Sequence, residues 1–200
     1  MSAAGDSSAK TPPWSGLVVV SGPSGSGKTT IVNRLEQDPR VHVVITATTR
    51  EKRAGEQDGV DYWFLTRAEF ERRRDAGEFL EWQEVFSNGH LYGTLKSALD
   101  DGLRQRERCC VLEIDVFGGL TLKDQRLPGK YVFIAPPSLE TLRARISGRG
   151  TESPEAIKVR MAKADVEMEH RHEYDHVVVN DDLETALSTV RRLIGLDEAN

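Results

Sequence analysis

No apolar run in these 200 residues comes near the roughly 20 that a helix needs to cross a bilayer. The Ala/Ser/Lys-containing start has no long apolar segment before Trp14, so the expected address is cytoplasmic. Cysteine is scarce: the 2 residues, Cys109 and Cys110, are adjacent and too close for an ordinary disulfide. There is no Cys-x-x-Cys pair and no Cys/His cluster of metal-site spacing. Because Val111 and Leu112 follow them, both cysteines read as packing residues at the start of a core strand. Nor is there a serine-histidine-acid or paired-carboxylate arrangement, or an internal repeat. Charge of one sign does not dominate either. The net charge of -5 gives no general pull toward nucleic acid or membrane, while leaving room for a local basic cleft.

What is present is a soluble globular composition, 38% hydrophobic and 30% charged. The length suits one substantial core with smaller units projecting from it. Residues 1–14, rich in Ala, Ser, Gly and Pro, read as a flexible lead-in. Leu17-Val18-Val19-Val20 is a short, β-branched apolar run, as in a buried strand, and Thr29 to Leu35 reads as a helix after a glycine-rich turn. A second strand is predicted from Val41 to Thr46. This order of strand, turn, helix and strand opens a parallel α/β sheet.

Thr66 and Glu69 have the spacing of a capping box before a helix, and Phe79 to Val85 reads as a strand leading into a turn-like insert at Phe86 to Leu91. Cys110 to Ile114 and Tyr131 to Ala135 read as core strands. Ser138 is placed to cap a helix over Leu139 to Ser147, and Ser153-Pro154 to start another. On that second helix Ile157, Met161, Ala164 and Met168 draw an apolar stripe read as core. His42, His170, His172 and His176 read as structural or solvated. Val177 to Val179 is a last strand, followed by a helix capped by Asp181 with Ala186, Leu187, Val190 and Ile194 inward.

The strongest chemical signal is Gly22-Pro23-Ser24-Gly25-Ser26-Gly27-Lys28-Thr29, a complete Gly-x-x-x-x-Gly-Lys-Thr between a predicted strand and helix. Its glycines let backbone N–H groups converge on phosphate oxygens, and the helix N-terminus adds a favourable field. Lys28 is placed to reach the transferring phosphate, and the Thr29 hydroxyl to ligate Mg2+. Water as acceptor would make an NTPase, a phosphorylated metabolite a kinase, and an unused loop a binding module. Glu113-Ile114-Asp115 ends a predicted parallel strand, where ligands gather in open α/β sheets.

Together with that loop, Thr48-Thr49-Arg50 with Arg53, Gly55-Glu56, Asp61-Tyr62, Glu81, Tyr92-Gly93-Thr94, Glu113-Ile114-Asp115, Arg149-Gly150 and Val179-Asn180-Asp181-Asp182 resemble guanylate kinase, over about Ser15 to Gly195. The resemblance implies an α/β P-loop kinase fold: a central parallel β-sheet flanked by helices, a small mixed-sheet GMP-binding subdomain and a helical lid. The implied domain is 15–195, with core 15–45, 97–138 and 161–195, GMP-binding subdomain 46–96, lid 139–160 and tail 196–200.

By the same resemblance, residues Gly22 to Thr29, Thr30 and, on the adenine side, Asn180 bind ATP. Lys28, Arg145, Arg149 and Arg160 act on the transferring phosphoryl group. Arg50, Arg53, Tyr62 and Tyr92 bind the GMP phosphate, for which the planar, permanently charged arginine fork is well suited. Glu81, Thr94 and Thr46 face guanine, the carboxylate accepting from N1–H and the exocyclic amine, the Thr94 hydroxyl donating to O6. Asp115 and Glu113 contribute further acceptor contacts. Glu113 stands where the family commonly has Asp, and its longer side chain favours contact with Mg2+ through water. Thr46 stands where Ser is common, and the stretch Ser87 to Leu91 is two residues longer than in many members.

The implied reaction is ATP plus GMP (or dGMP) giving ADP plus GDP with Mg2+, by a monomer or homodimer with no nucleic-acid, membrane or dedicated protein partner. A ribose bisphosphate kinase would keep the loop but lack the Glu81/Thr94 pair. A noncatalytic guanylate-kinase-like module would have lost the lysine or arginines.

Overall fold

The structure is a computed structural model that describes residues 16–85, 89–104, 109–148 and 154–197. Strand β1 (Leu17–Ser21) is buried throughout and passes through the glycine-rich loop into α1 (Lys28–Leu35). Then come β2 (Val41–Val43), β3 (Ala47–Thr48), β4 (Trp63–Phe64), α2 (Arg67–Asp75), β5 (Phe79–Val85), β6 (His90–Leu95) and α3 (Lys96–Arg104). The chain continues with β7 (Cys109–Glu113), α4 (Val116–Asp124), β8 (Lys130–Ala135), α5 (Leu139–Ser147) and α6 (Pro154–Glu169). A 3-10 turn at His170–Glu173, β9 (His176–Val179) and α7 (Leu183–Leu193) close it. No helix among the described residues is long and apolar enough to cross a membrane.

Five strands form a parallel sheet in the order β2-β7-β1-β8-β9. A parallel sheet is covered on both faces, so its strands are apolar at successive positions. Val18 and Val20 point to one face, against Ile31, Val32 and Leu35 of α1 and Ala186, Leu187 and Val190 of α7. Leu17 and Val19 point to the other, with Val116 and Leu122 of α4 and with Phe133 and Tyr174. The two cysteines follow the same alternation, Cys109 in the first cluster and Cys110 in the second, as the packing reading expected. Burial pushes the Cys109 thiol up to about 12, which leaves it inert.

The second sheet, β4-β3-β6-β5, is mixed: β3 runs parallel to β4 and antiparallel to β6, and β6 pairs antiparallel with β5. It has a small core of its own, in which Phe70 of α2 stacks on Phe79 at 4.3 Å between centroids. A fourth cluster joins α5 to α6 through Leu142, Ile146 and Ala164, with Ile157 and Met161 against it. The stripe on α6 is therefore core, and Met168 packs on the main sheet.

Several expectations need correction. The strand predicted to Thr46 ends at Val43. Val44 still donates to the Val111 carbonyl, but Thr46 already accepts from Trp63 as the chain crosses to the second sheet. His90 and Leu91, read as turn, begin β6, while Phe86 to Asn88 lie outside the described residues. The cap of α7 is Asp182, whose Oδ1 accepts from both the Thr185 N–H and its hydroxyl, and not Asp181. Only half of the capping box forms: Thr66 accepts from the Glu69 N–H at 3.2 Å, but Glu69 turns to Arg72 and Arg73. Helices α3 and α4 fall where no element was expected.

Candidate active site

The loop from Gly22 to Thr29 connects β1 to α1. Gly27 has φ of 97°, and a Cβ there would stand 2.2 Å from the Asn180 side-chain nitrogen. No other residue fits that backbone and that space. Asn180, at the end of β9, donates from Nδ2 to the Ser26 carbonyl at 2.7 Å, and its own carbonyl accepts from Arg145 at 2.9 Å. The loop is thus fastened from below by the last strand and α5. Helix α1 begins with no side-chain cap and no acid in its first turn, so its N-terminal N–H groups and dipole act undiminished on the loop.

Lys28 folds its ammonium onto the carbonyls of Gly22 (2.6 Å) and Pro23 (3.1 Å). Burial lowers its pKa, against the opposing pull of Glu113, Glu167 and Asp115. The next hydroxyl, Thr29, donates to Glu113 Oε1 at 2.7 Å. That contact joins α1 to the end of β7, where Glu113 lies in register with Val20. From α6, Arg160 reaches the Ser24 hydroxyl at 2.6 Å.

Across the strand ends, the second sheet presents a different set. Glu81 of β5 is only 6% exposed, and its partner is Thr94 of β6, whose hydroxyl donates to Oε1 at 2.6 Å. Burial, helped by the nearby charge of Asp115 and opposed by Thr94, pushes the Glu81 carboxyl up to about 7. Asp115 caps α4, its Oδ1 accepting from the Gly118 N–H at 2.9 Å. A Cβ at Gly118 would stand 3.1 Å from Glu81 Oε2 and 3.3 Å from Asp115 Oδ1, so both carboxylates border the same turn of α4.

The Arg50 guanidinium sits over two rings, 5.5 Å from the centroid of Tyr62 and 5.7 Å from that of Phe64. Its fork is held bidentately by Glu56 at 2.8 and 2.9 Å. That pairing, with a bond from the Arg53 N–H, holds the Glu56 carboxyl down to about 2. The Tyr62 and Tyr92 rings meet edge to face at 6.2 Å. Burial and the Glu113 charge raise the Tyr62 pKa, so its phenol stays a donor at neutral pH.

Comparison with known proteins gives these two sets one context. The guanylate kinase family model matches residues 15–196. The chain is 44% identical over 184 residues to a guanylate kinase of Symbiobacterium thermophilum, covering 92% of this chain and 86% of that protein. It is 42% identical over 179 residues to a guanylate kinase of Clostridium perfringens, covering 89% and 82%. The crystal structure of a guanylate kinase from Anaplasma phagocytophilum matches with a TM-score of 0.71 at 31% identity, over 92% of this chain and 86% of that one. The chain belongs to the guanylate kinase family.

In this guanylate kinase chain the expected donor-side residues come together: the loop, Lys28, Thr29, Arg145, Arg160 and Asn180 are linked directly. Thr30 is exposed in the first turn of α1, and Arg149 lies outside the described residues. On the other side Arg50, Tyr62 and Tyr92 form one cluster, and Glu81, Thr94 and Asp115 another. Thr46 is half-buried at the crossing between the sheets, and Glu113 stands between the two sides. Arg53 meets Glu56 through its backbone N–H, with its side chain exposed.

Three residues of the constellation carried no assigned role in the sequence. Glu56 was visible only as part of Gly55-Glu56. Lys163 and Glu167, on α6, were marked by nothing but their i,i+4 spacing beside the apolar stripe.

Proposed function

We propose that this protein transfers the γ-phosphoryl group of ATP to GMP or dGMP, giving ADP and GDP. The observation that carries the reading is the junction at Glu113: this strand end meets the phosphate loop through Thr29 and acts by its charge on Tyr62, in an acceptor region whose buried polar pair is Glu81 and Thr94. An unused loop would not need both halves. A ribose bisphosphate acceptor would leave the buried Glu81 with nothing to read.

The donor phosphates lie along the loop N–H groups, with Lys28 leaving its carbonyl partners for the transferring group. Arg145 and Arg160 add charge from α5 and α6 where negative charge spreads in the transition state. Oxygen donors of Thr29 and Glu113 suit Mg2+, which keeps most of its waters and takes few protein ligands. The Thr29 hydroxyl donates its proton to Glu113, which leaves its lone pairs for a cation; Thr29 would hold Mg2+ directly, and the Glu113 carboxylate would support it through water. When bound, Mg2+ supplies neutralisation of the donor phosphate charge.

The acceptor is a phosphate oxygen whose second pKa is about 6, so no general base is required. Arg50, Arg53, Tyr62 and Tyr92 orient it. Guanine N1–H and the amine replace Thr94 on Glu81, which frees the Thr94 hydroxyl to turn to O6. Residues 46–96 act as the GMP-binding unit and 139–160 as the lid over the remaining core. The separate small core of the second sheet supports the first unit, and the α5–α6 cluster, which runs on to Met161 and Ala164, anchors the lid to the core. A composition without apolar spans suits a cytoplasmic address.

The direct test is incubation with ATP, GMP and Mg2+. ADP and GDP are expected in equal amounts, and ATP hydrolysis without GDP would overturn the reading.

A further inference from the structure

Helix α6 carries Arg160, Lys163 and Glu167 at intervals of three and four, so all three lie on one face. That face touches both halves of the site. Arg160 holds the Ser24 hydroxyl of the phosphate loop at 2.6 Å. One turn later, Lys163 donates to Asp115 Oδ2 at 3.2 Å and lies 3.4 Å from Glu167 Oε1. Glu167 is only 3% exposed, whereas Lys163 is 44% exposed along its side chain.

Two carboxylates so close together repel unless a cation lies between them. Burial by itself would lower the Lys163 pKa, but Asp115 and Glu167 override it and leave it raised. Burial raises the Glu167 pKa, with Lys163 and Lys28 opposing. The lysine is therefore a compensating charge, and it fastens a donor-side helix to an acceptor-side carboxylate.

We infer that Lys163 is a positioning residue that couples the two nucleotide sites, transmitting occupancy of the acceptor pocket through Asp115 and α6 to Arg160 at the phosphate loop. The inference rests on the assignment of GMP to that pocket. Asp115 Oδ1 is committed to Gly118, but a carboxylate has room for about four donors, so a guanine donor and Lys163 can share it. GMP then orders Asp115, and Asp115 holds α6 in the placement that puts Arg160 on the loop. A donor nucleotide that orders the loop favours the same placement from the other end. Each ligand accordingly tightens the other, and by linkage the two factors are equal.

The test is a set of calorimetric titrations of the β,γ-imido analogue of ATP with Mg2+, with and without saturating GMP, and the reciprocal pair. The wild-type protein is expected to bind the analogue about 5-fold tighter or more when GMP is present, the lower end of usual coupling. In Lys163→Met the factor is expected to fall below about 2-fold, and Lys163→Arg, which keeps the charge, to retain most of it. A ratio of two affinities from one preparation does not depend on the fraction of folded protein. The coupling role is overturned if Lys163→Met keeps the wild-type factor, if both affinities fall with their ratio unchanged, or if the wild-type factor is near one. In each of those cases GMP still binds and the proposed function stands. Absence of GMP binding to the wild-type protein would overturn both.

Discussion

Keeping Glu81 ionised in the free protein is unfavourable, because the carboxylate is nearly out of reach of water and stands beside Asp115. Its pKa is raised from 4.5 to about 7, so the native state holds a proton that the unfolded chain has already lost across that window. This contribution to stability is therefore greatest below pH 4.5 and is lost as pH rises toward about 7. Glu81→Gln removes the titration, and its melting temperature relative to wild type is expected to increase between pH 5 and 8. In complex with GMP the sign reverses, since guanine N–H donors favour the carboxylate. Binding at pH 7 should release more protons from wild type than from Glu81→Gln, as read by calorimetry in buffers of different ionisation enthalpy. Equal release from both would remove Glu81 from contact with the base. Glu56 behaves oppositely: held down to about 2 by Arg50, it contributes stability above its ordinary 4.5 that is lost as pH falls toward 2.

Among the elements, the pairing of β5 with β6 decides whether Glu81 and Thr94 meet. Gly93, next to Thr94, is where the strands leave no room: a Cβ would stand 2.7 Å from the Glu81 carbonyl and 2.9 Å from the Phe79 ring. Gly93→Ala must push the strands apart, at a cost of about 1–3 kcal/mol. It is expected to lower the melting temperature and raise the KM for GMP more than that for ATP. Equal changes in both would mean that the strand spacing does not set the acceptor pocket.

The legibility of the elements followed from local chemistry. β1 with its loop, α5 behind Ser138 and α6 from Pro154 were readable because apolar period, caps and glycines agreed. Helix α4 was not, since Val116-Phe117-Gly118-Gly119 is poor helix sequence. Its cause is tertiary: Asp115 caps it, and a Cβ at Gly119 would stand 2.3 Å from the Tyr174 hydroxyl, so only glycine lets the helix sit there. The two-residue strands β3 and β4 are too short for any period to show. The same division holds within the site. Lys28 and Thr29 were legible from a motif with its own mechanism, and Glu81 from a family pattern. Lys163 matters only because folding brings α6 to Asp115, 48 positions away in sequence.

At the scale of the whole molecule, a parallel core supplies the donor loop while the mixed sheet and α5 with α6 pack through smaller clusters of their own. Ligand linkage then gives a test that needs no turnover. GMP at a hundred times its Kd adds about 2.7 kcal/mol to stability. For a domain of this size that corresponds to a rise in melting temperature of about 5–10 °C. AMP at the same concentration should shift it far less, because its six-position donor faces Thr94 and it has no two-position amine for Glu81. Equal shifts would show that the pocket holds a phosphate without reading a base. The most direct measurement remains kcat/KM with ATP and Mg2+ over GMP, dGMP, AMP, CMP, UMP and a ribose bisphosphate. Rapid transfer to GMP and dGMP and little to the others is expected; brisk transfer to another acceptor with none to GMP would rule out GMP as the acceptor.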